Sequence, residues 1–228
     1  WQEKKEESQV SSFAEWGLRQ VINASGKMTA LGATAVAPEV AEALARGAQE
    51  YVVMDELLAA AGARIARATG AEAAVPTIGA AAGIAIATAA CVAGADPAAI
   101  EALPDSLGRP NEVVLPKGHS VHFGAPVTQM IRLGGGRPVE AGHANLVRAD
   151  HVEGAISDRT AALFYCKSHH AVQKGMVALE ELIAIGRRRG VPVVVDAAAE
   201  EDLRRYIGMG ADLVIYSGGK AIGGPTSG

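Results

Sequence analysis

The sequence predicts a three-layer α/β fold, in which helices cover both faces of a mostly parallel central sheet. Three segments, 161–165, 191–195 and 213–216, are almost entirely apolar, and helical patterns separate them. Strands that are apolar on both faces are typical of parallel sheets buried between helices. The chain has 228 residues and a hydrophobic content of 49%, which suffices for one domain with a substantial core.

The other elements follow from hydrophobic periodicity and from the positions of glycine and proline. Helices are predicted at 38–48, 55–69, 80–92, 126–133, 150–156, 179–189 and 203–209, and further strands at 112–115 and 137–140. Three prolines predict a loop at 97–111. We therefore divide the chain into a polar N-terminal arm, 1–20, and a large domain, 21–228.

Composition narrows the classes of function. A net charge of -4 argues against a nucleic-acid-binding surface. Cys91 and Cys166 lie in apolar runs without a CxxC motif, which predicts buried reduced thiols and no metal site. The alanine-rich apolar run at 79–92 is too short to span a bilayer. With no targeting signal in the polar N-terminal segment, a cytoplasmic location is expected.

Two charged residues follow the last two buried strands. Asp196 comes directly after the strand at 191–195, and Lys220 lies in a glycine-rich segment after the strand at 213–216. Carboxyl ends of parallel strands meet at one edge of a sheet, where ligands bind. Such a carboxylate can keep a pyridine nitrogen protonated, and such a lysine can hold pyridoxal phosphate. Taken singly, Asp196 could be a helix cap and Lys220 a surface residue in a turn.

The start of the helix predicted at 80–92 is a candidate phosphate site. Backbone N–H groups and the helix dipole favour an anion at such a start, although small residues there can also serve packing alone. Neither GxGxxG nor GxxxxGK[ST] occurs in the sequence, which disfavours nucleotide-binding loops and a nicotinamide-dependent enzyme. The candidate phosphate ligands are Thr77, Gly79, Ala80, Ala81 and Ser217.

Two histidine segments also follow apolar strands. His119 lies in KGHS after the strand at 112–115, and Ser168 and His169 lie in KSHH after the strand at 161–165. Histidine rings at these strand ends could stack on a cofactor ring or act as general acids. A turn histidine that bonds to the backbone is the alternative.

Six segments share a pattern with one known group of enzymes. They read VINASG, VPTIGAAAG, VVLPKGHS, FYCKSHH, VPVVVDAAAE and YSGGKAIGGPTSG. Together they resemble the selenocysteine-synthase-like group of fold-type-I pyridoxal-phosphate enzymes, over roughly residues 18–228. The group includes bacterial seryl-tRNA selenium transferase and enzymes of the D-glucosaminate-6-phosphate ammonia-lyase type. SGGKAIGGP, with VVVD upstream, is the most specific part of the resemblance.

The resemblance implies individual roles. Lys220 matches the lysine that forms the Schiff base with the cofactor, and Asp196 matches the acid at the ring nitrogen. The turn at 79–81 matches the phosphate-binding helix start. Ser168 and His169 match the position near the phenolic oxygen of the ring, with His169 as the candidate catalytic acid. His119 matches the stacking position.

Within the group, the sequence favours a small-molecule enzyme over the tRNA-acting one. LPKGHS and MIRLGGG are similar to the ammonia-lyase branch, and both the acidic balance and the short region before Val21 disfavour tRNA binding. The implied reaction converts a 2-amino sugar acid into a 2-keto-3-deoxy acid and ammonia. Lys117, Arg132 and Lys174 are candidates for contacting a substrate phosphate. The resemblance also implies a homodimer or a larger homo-oligomer.

Other functions stay open at this point. A seryl-tRNA selenium transferase-like enzyme, an aminotransferase, a racemase or an aldolase would need the same cofactor residues. The sequence ends eight residues after Lys220, whereas the resemblance implies a smaller C-terminal domain beyond that lysine. A catalytically inactive binding scaffold is therefore the alternative outside enzymes.

Overall fold

The computed structural model describes residues 13–168 and 170–228. Within them, five parallel strands form one sheet in the order β2-β1-β3-β4-β5. The strands are β1 (Glu112–Pro116), β2 (Arg137–Ala141), β3 (Thr160–Cys166), β4 (Val193–Asp196) and β5 (Leu213–Ile215). The helices are α1 (Pro38–Gly47), α2 (Met54–Thr69), α3 (Ala80–Ala93), α4 (Pro97–Ala102), α5 (Val127–Leu133), α6 (Ala149–Ala155), α7 (Leu179–Arg189) and α8 (Arg205–Met209).

Both faces of the sheet are covered, as the continuous apolar strands predict. In β3, Leu163 and Tyr165 belong to one core cluster, whereas Phe164 and Cys166 belong to the other. Helices α6 and α7 cover the first face, and helices α3 and α5 cover the second. Successive side chains of a strand point to opposite faces, so each face receives half of every apolar run. The predicted three-layer α/β fold is confirmed.

Two local predictions are corrected. The stretch predicted as a loop at 97–111 begins with helix α4, because the Asp96 side chain accepts a hydrogen bond from the N–H of Ala98 at 3.0 Å and Pro97 occupies the first turn. Helix α6 begins at Ala149 with Arg148 as its N-cap residue, one residue before the predicted start.

Helix α3 packs unusually close to the edge strand β5. A Cβ atom on Gly83 would lie 2.8 Å from Cγ2 of Ile215, so a larger residue would push the helix away from the sheet. This contact places the start of α3 beside the carboxyl end of β5, where ligands of α/β sheets bind.

The N-terminal part of the structure buries little. Helix α1 contains no buried residue, although it carries an apolar stripe. Tyr51, Ile22 and Trp16 expose 107%, 93% and 75% of their surfaces. Residues 1–12 of the predicted arm lie outside the described residues, so the division at residue 20 stays a prediction. Across the described ranges, no helix combines the length and apolarity needed to cross a membrane.

Candidate active site

The carboxyl edge of the sheet brings together the end of β3, the end of β4 and the segment after β5. Asp196 is the last residue of β4, and its register partners are Cys166 on β3 and Ile215 on β5. The chain then leaves β5 and reaches Lys220 within five residues. Asp196 and Lys220 therefore leave the same edge of the sheet, as the parallel topology predicts.

Asp196 is a buried carboxylate with few partners. Only 3% of the surface of Asp196 is exposed to solvent. Oδ1 accepts a hydrogen bond from the N–H of Ala198 at 3.1 Å, and Oδ2 accepts one from the thiol of Cys166 at 3.6 Å. Burial raises the pKa of Asp196, while these two bonds and the positive charge of Lys220 oppose that rise. A cation brought close to this carboxylate would therefore be strongly favoured.

The segment that carries Lys220 folds back on itself. Gly218 donates to the carbonyl of Ser227 at 2.7 Å and accepts from the N–H of Gly224 at 2.7 Å. A Cβ atom on Gly218 would lie 2.0 Å from Oγ of Ser227, so a larger residue would force the Ser227 hydroxyl to rotate away. The N–H of Lys220 donates to the carbonyl of Ser217 at 3.2 Å. These bonds hold Ser217 and Lys220 on one tight loop.

The same segment reaches the start of helix α3. Thr77 and Gly228 exchange two backbone hydrogen bonds, of 2.7 and 3.0 Å. The hydroxyl of Thr77 donates to the carbonyl of Gly79 at 2.9 Å, and Gly79 has φ 151° and ψ 161°. Only glycine adopts that conformation readily. The lysine loop and the predicted phosphate-binding start thus lie side by side.

The first turn of α3 has the properties of an anion site. Its leading N–H groups, which include those of Ala80 and Ala81, have no acceptors within the helix itself. No atom lies within 4 Å of the place that a Cβ on Gly79 would take, so this side of the turn is open. The helix spans Ala80–Ala93, and its dipole adds partial positive charge at this end.

His119, which is predicted to stack on the cofactor ring, lies in the core beside the end of β3. The ring is completely buried, with Nε2 3.1 Å from the carbonyl oxygen of Val172 and Nδ1 accepting from the N–H of Cys166 at 3.2 Å. Burial lowers the pKa of His119 to about 4, so the ring is neutral at pH 7. Protein covers the ring on every side, and the stacking role of His119 stays a prediction.

The other predicted polar residues lie near the crevice or on the surface. Ser168 is half-buried directly after β3, and its hydroxyl accepts from the N–H of His170 at 3.2 Å. His169 lies outside the described residues. Of the candidates for a substrate phosphate, Lys117 forms an ion pair with Glu140 at 3.5 Å, while Arg132 and Lys174 are exposed.

Sequence reasoning missed the contact between Cys166 and Asp196. Both residues end their strands, and this shared position was the available signal. Two cavities lie elsewhere, one lined by 146–150 and 175–178 and the other near Tyr165 and Tyr206. Neither is lined by Asp196 or Lys220, so we locate the site by its chemistry and not by cavity size.

These residues fit pyridoxal phosphate. The cofactor needs an acid at its ring nitrogen, an amine for its aldehyde and an anion site for its phosphate. The buried carboxylate of Asp196, the amine of Lys220 and the first turn of α3 supply these three features around one edge of the sheet.

Comparison with known proteins identifies the family of the chain. The model of one family, described as SelA: L-seryl-tRNA selenium transferase, matches residues 21–228. The chain belongs to the SelA family. It is 29% identical over 239 residues to an L-seryl-tRNA(Sec) selenium transferase of Nitratidesulfovibrio vulgaris, covering 92% of this chain and 48% of that protein.

Two SelA-family relatives are much more similar. A D-glucosaminate-6-phosphate ammonia lyase of Salmonella typhimurium is 52% identical over 216 residues, which are 95% of this chain and 58% of that protein. A 5'-C-glycyluridine monooxygenase-decarboxylase of a Streptomyces species is 50% identical over 223 residues, which are 97% of this chain and 56% of that protein. The chain thus spans little more than half the length of these relatives.

Solved structures place this SelA-family chain among fold-type-I enzymes. A structure of D-glucosaminate-6-phosphate ammonia-lyase superposes with a TM-score of 0.94 at 51% identity, covering 96% of this chain and 59% of that one. An aspartate aminotransferase of Thermus thermophilus matches with a TM-score of 0.54 at 20% identity, over 81% of this chain and 50% of the other. The second match concerns the fold alone.

Proposed function

We propose that this chain is the cofactor-binding part of a pyridoxal-phosphate-dependent lyase that releases ammonia from a 2-amino sugar acid, such as D-glucosaminate-6-phosphate. The product would be a 2-keto-3-deoxy acid. The observation that carries the proposal is the location of the buried Asp196 and of Lys220 at one sheet edge, in a chain that superposes on such a lyase with a TM-score of 0.94.

Some of the site residues would bind the cofactor, and others would take part in the reaction. When bound, pyridoxal phosphate supplies an electron-accepting ring that stabilises negative charge on the substrate's α-carbon. Asp196 would keep a proton on the ring nitrogen, because its buried carboxylate is stabilised by an adjacent positive charge. The first turn of α3 and the hydroxyl of Ser217 would hold the phosphate.

Lys220 has two tasks in this proposal. Its amine would hold the aldehyde carbon of the cofactor covalently and would later take the proton from the substrate's α-carbon. His169, by resemblance, would give a proton to the departing β-hydroxyl group. Hydrolysis of the resulting enamine would then release the amino group as ammonia. The water consumed in this step balances the water lost in the elimination.

A second reaction has support from one observation. The Streptomyces monooxygenase-decarboxylase is almost as similar to this chain, at 50% identity, as the ammonia lyase, at 52%. The cofactor residues would serve either reaction, because the substrate pocket selects the bond that breaks. Ammonia release from D-glucosaminate-6-phosphate supports the lyase. Oxygen consumption with 5'-C-glycyluridine, without ammonia release from the amino sugar acid, would support the other reaction.

A second copy of the chain is the proposed partner. Apolar side chains that are largely exposed extend through the N-terminal part to the site, where Ile78 exposes 85% of its surface beside Gly79. Exposed apolar surface of this kind is typical of protein interfaces. Light scattering should give at least a dimer. Tyr51→Glu should shift it towards a monomer, whereas Leu133→Glu, at the exposed last residue of α5, should not. A cytoplasmic location remains a prediction.

The proposal is tested first through its cofactor. The purified protein, mixed with pyridoxal phosphate, should develop a visible absorption band that borohydride removes, and peptide mapping should find the label on Lys220. Lys220→Ala should show neither the band nor the label, and its ammonia release should fall at least about 1,000-fold.

A matched control separates this effect from the loss of any cation. Lys174→Ala removes an exposed lysine and should keep both the band and the label. A wild-type protein that stays colourless and unlabelled would contradict the proposal of a pyridoxal-phosphate-dependent enzyme. It would favour the catalytically inactive binding scaffold.

A further inference from the structure

The last residues of two neighbouring strands share a buried polar contact. Cys166 ends β3, Asp196 ends β4, and the two are register partners. The thiol sulfur lies 3.6 Å from Oδ2 of Asp196, and both residues are almost completely covered, at 0% and 3% exposure. Since buried polar groups need partners, the contact belongs to the core that supports the site.

The thiol is the donor in this contact. Burial raises the pKa of Cys166, and the neighbouring Asp196 raises it further, so the sulfur keeps its proton at pH 7. A carboxylate can only accept, and a protonated thiol can donate. Oδ1 of Asp196 meanwhile accepts from the backbone of Ala198 at 3.1 Å. The two carboxylate oxygens are thus fixed by different donors.

His119 holds Cys166 from the other side. Nδ1 accepts from the N–H of Cys166 at 3.2 Å, so Nε2, at 3.1 Å from the carbonyl of Val172, carries the proton and donates. The ring also meets Tyr165 edge-on, with 4.3 Å between the ring centroids. A hydrogen-bonded path therefore links the loop at Val172 to the end of β3 and, through the thiol, to Asp196.

We propose that Cys166 is a positioning residue, whose thiol fixes the orientation of the Asp196 carboxylate and stabilises its charged form, with His119 holding Cys166 in place. This inference rests on the proposed role of Asp196 at the ring nitrogen. A carboxylate must point in one direction to hold a cofactor ring, and groups that lock its rotamer maintain that geometry. The sulfur itself contacts no reacting atom in this proposal.

Infrared spectroscopy of the thiols tests the contact before any cofactor is added. The S–H stretch reports hydrogen bonding directly, and Cys166→Ala and Cys91→Ala assign the two bands. Cys91, on α3, is the internal reference because its charged neighbour is Asp212 rather than Asp196. The Cys166 band should lie at lower frequency than the Cys91 band. Asp196→Asn should shift only the Cys166 band, upward. A Cys166 band that matches Cys91 and ignores Asp196→Asn would overturn the inference.

Cofactor affinity tests the consequence. Cys166→Ala should weaken the Kd for pyridoxal phosphate about three- to tenfold, the effect expected for losing one weak donor to a carboxylate. Cys166→Ser keeps a donor and should restore most of the affinity, while Cys91→Ala should leave it unchanged. Equal affinities for the alanine and serine variants would overturn the positioning role, because a space-filling role alone predicts that result.

The two measurements separate this inference from the proposed function. A wild-type protein that binds no pyridoxal phosphate would refute the proposed enzyme function, and with it the proposed purpose of the contact between Cys166 and Asp196. A protein that binds the cofactor but has an unshifted Cys166 band would refute the positioning role alone.

Discussion

Among the described residues, a buried carboxylate lies at each edge of the sheet, and the two are held in opposite ways. At the amino edge, Glu112 accepts from the hydroxyl of Ser157 at 2.8 Å and pairs with Arg137 and Arg159. At the carboxyl edge, Asp196 has one backbone donor and one thiol. The pKa of Glu112 is lowered, chiefly by Ser157, whereas burial raises the pKa of Asp196.

The contrast distinguishes a structural acid from a functional one. A carboxylate with a full set of partners stabilises the fold, whereas one that is buried with few partners costs stability and attracts a cation. Glu112 joins the first residues of β1 and β2 through Arg137. Asp196 has capacity left for a ligand at the edge where Lys220 lies.

The largest effect should come from Asp196→Asn. This variant should lose activity but should not lose stability. Removing the charge that is proposed to hold the ring nitrogen should lower turnover about 100- to 1,000-fold. Because the folded-state pKa of Asp196 is raised, its ionisation opposes folding above that pKa. The free energy of unfolding at pH 7, from urea denaturation, should therefore stay equal or increase. A clear loss of stability would make Asp196 a structural acid like Glu112.

Glu112→Gln should do the reverse. The variant loses the charge-assisted bonds to Arg137 and Ser157, and the free energy of unfolding should fall by about 1–3 kcal/mol at pH 7. Pyridoxal phosphate affinity should not change, because the residue lies at the opposite edge. Glu153→Gln is the control, since Glu153 forms an exposed pair with Arg188, and its effect should stay below about 1 kcal/mol.

The stabilisation from Glu112 should depend on pH in a defined direction. Its folded-state pKa lies below the ordinary value of 4.5, so the benefit is complete above that value and is lost as the pH falls through the folded-state pKa. The difference in unfolding free energy between wild type and Glu112→Gln should thus be largest near neutrality and shrink in acid. A difference that grows in acid would contradict the lowered pKa.

The smallest effect should distinguish the two arginines at the amino edge. Arg137 bonds directly to Glu112, whereas Nε of Arg159 lies 3.8 Å from Oε1. Arg159→Ala should cost about 0.2–1 kcal/mol, and Arg137→Ala should cost more. Urea denaturation of both variants checks the order, and the opposite order would transfer the main pairing to Arg159.

Much of the fold and part of the site could be predicted from sequence. Continuous apolar runs identified β3, β4 and β5 as parallel strands, of which β5 is a half-buried edge strand, and that topology alone put Asp196 and Lys220 at one edge. Helix α4 was missed because three prolines outweighed the capping signal of Asp96 and Pro97. That local signal was available.

Long-range contacts could not be predicted in this way. The burial of His119 depends on Val172 and on the end of β3, which are distant in sequence. The contact between Cys166 and Asp196 requires the register between two strands, and hydrophobic patterns alone leave that register open. Sequence thus indicated which residues meet at the edge, but not which of them support one another.

The paired hydrogen bonds between Thr77 and Gly228 have a consequence for the kinetics of folding. Thr77 precedes all five strands in the sequence and Gly228 follows them. The loop that these bonds close is therefore among the longest in the described structure. The entropy cost of closing such a loop is met only after the intervening strands have docked. The wall of the crevice between α3 and the lysine loop should therefore form late, and the ability to capture pyridoxal phosphate should appear after the helical circular dichroism signal during refolding.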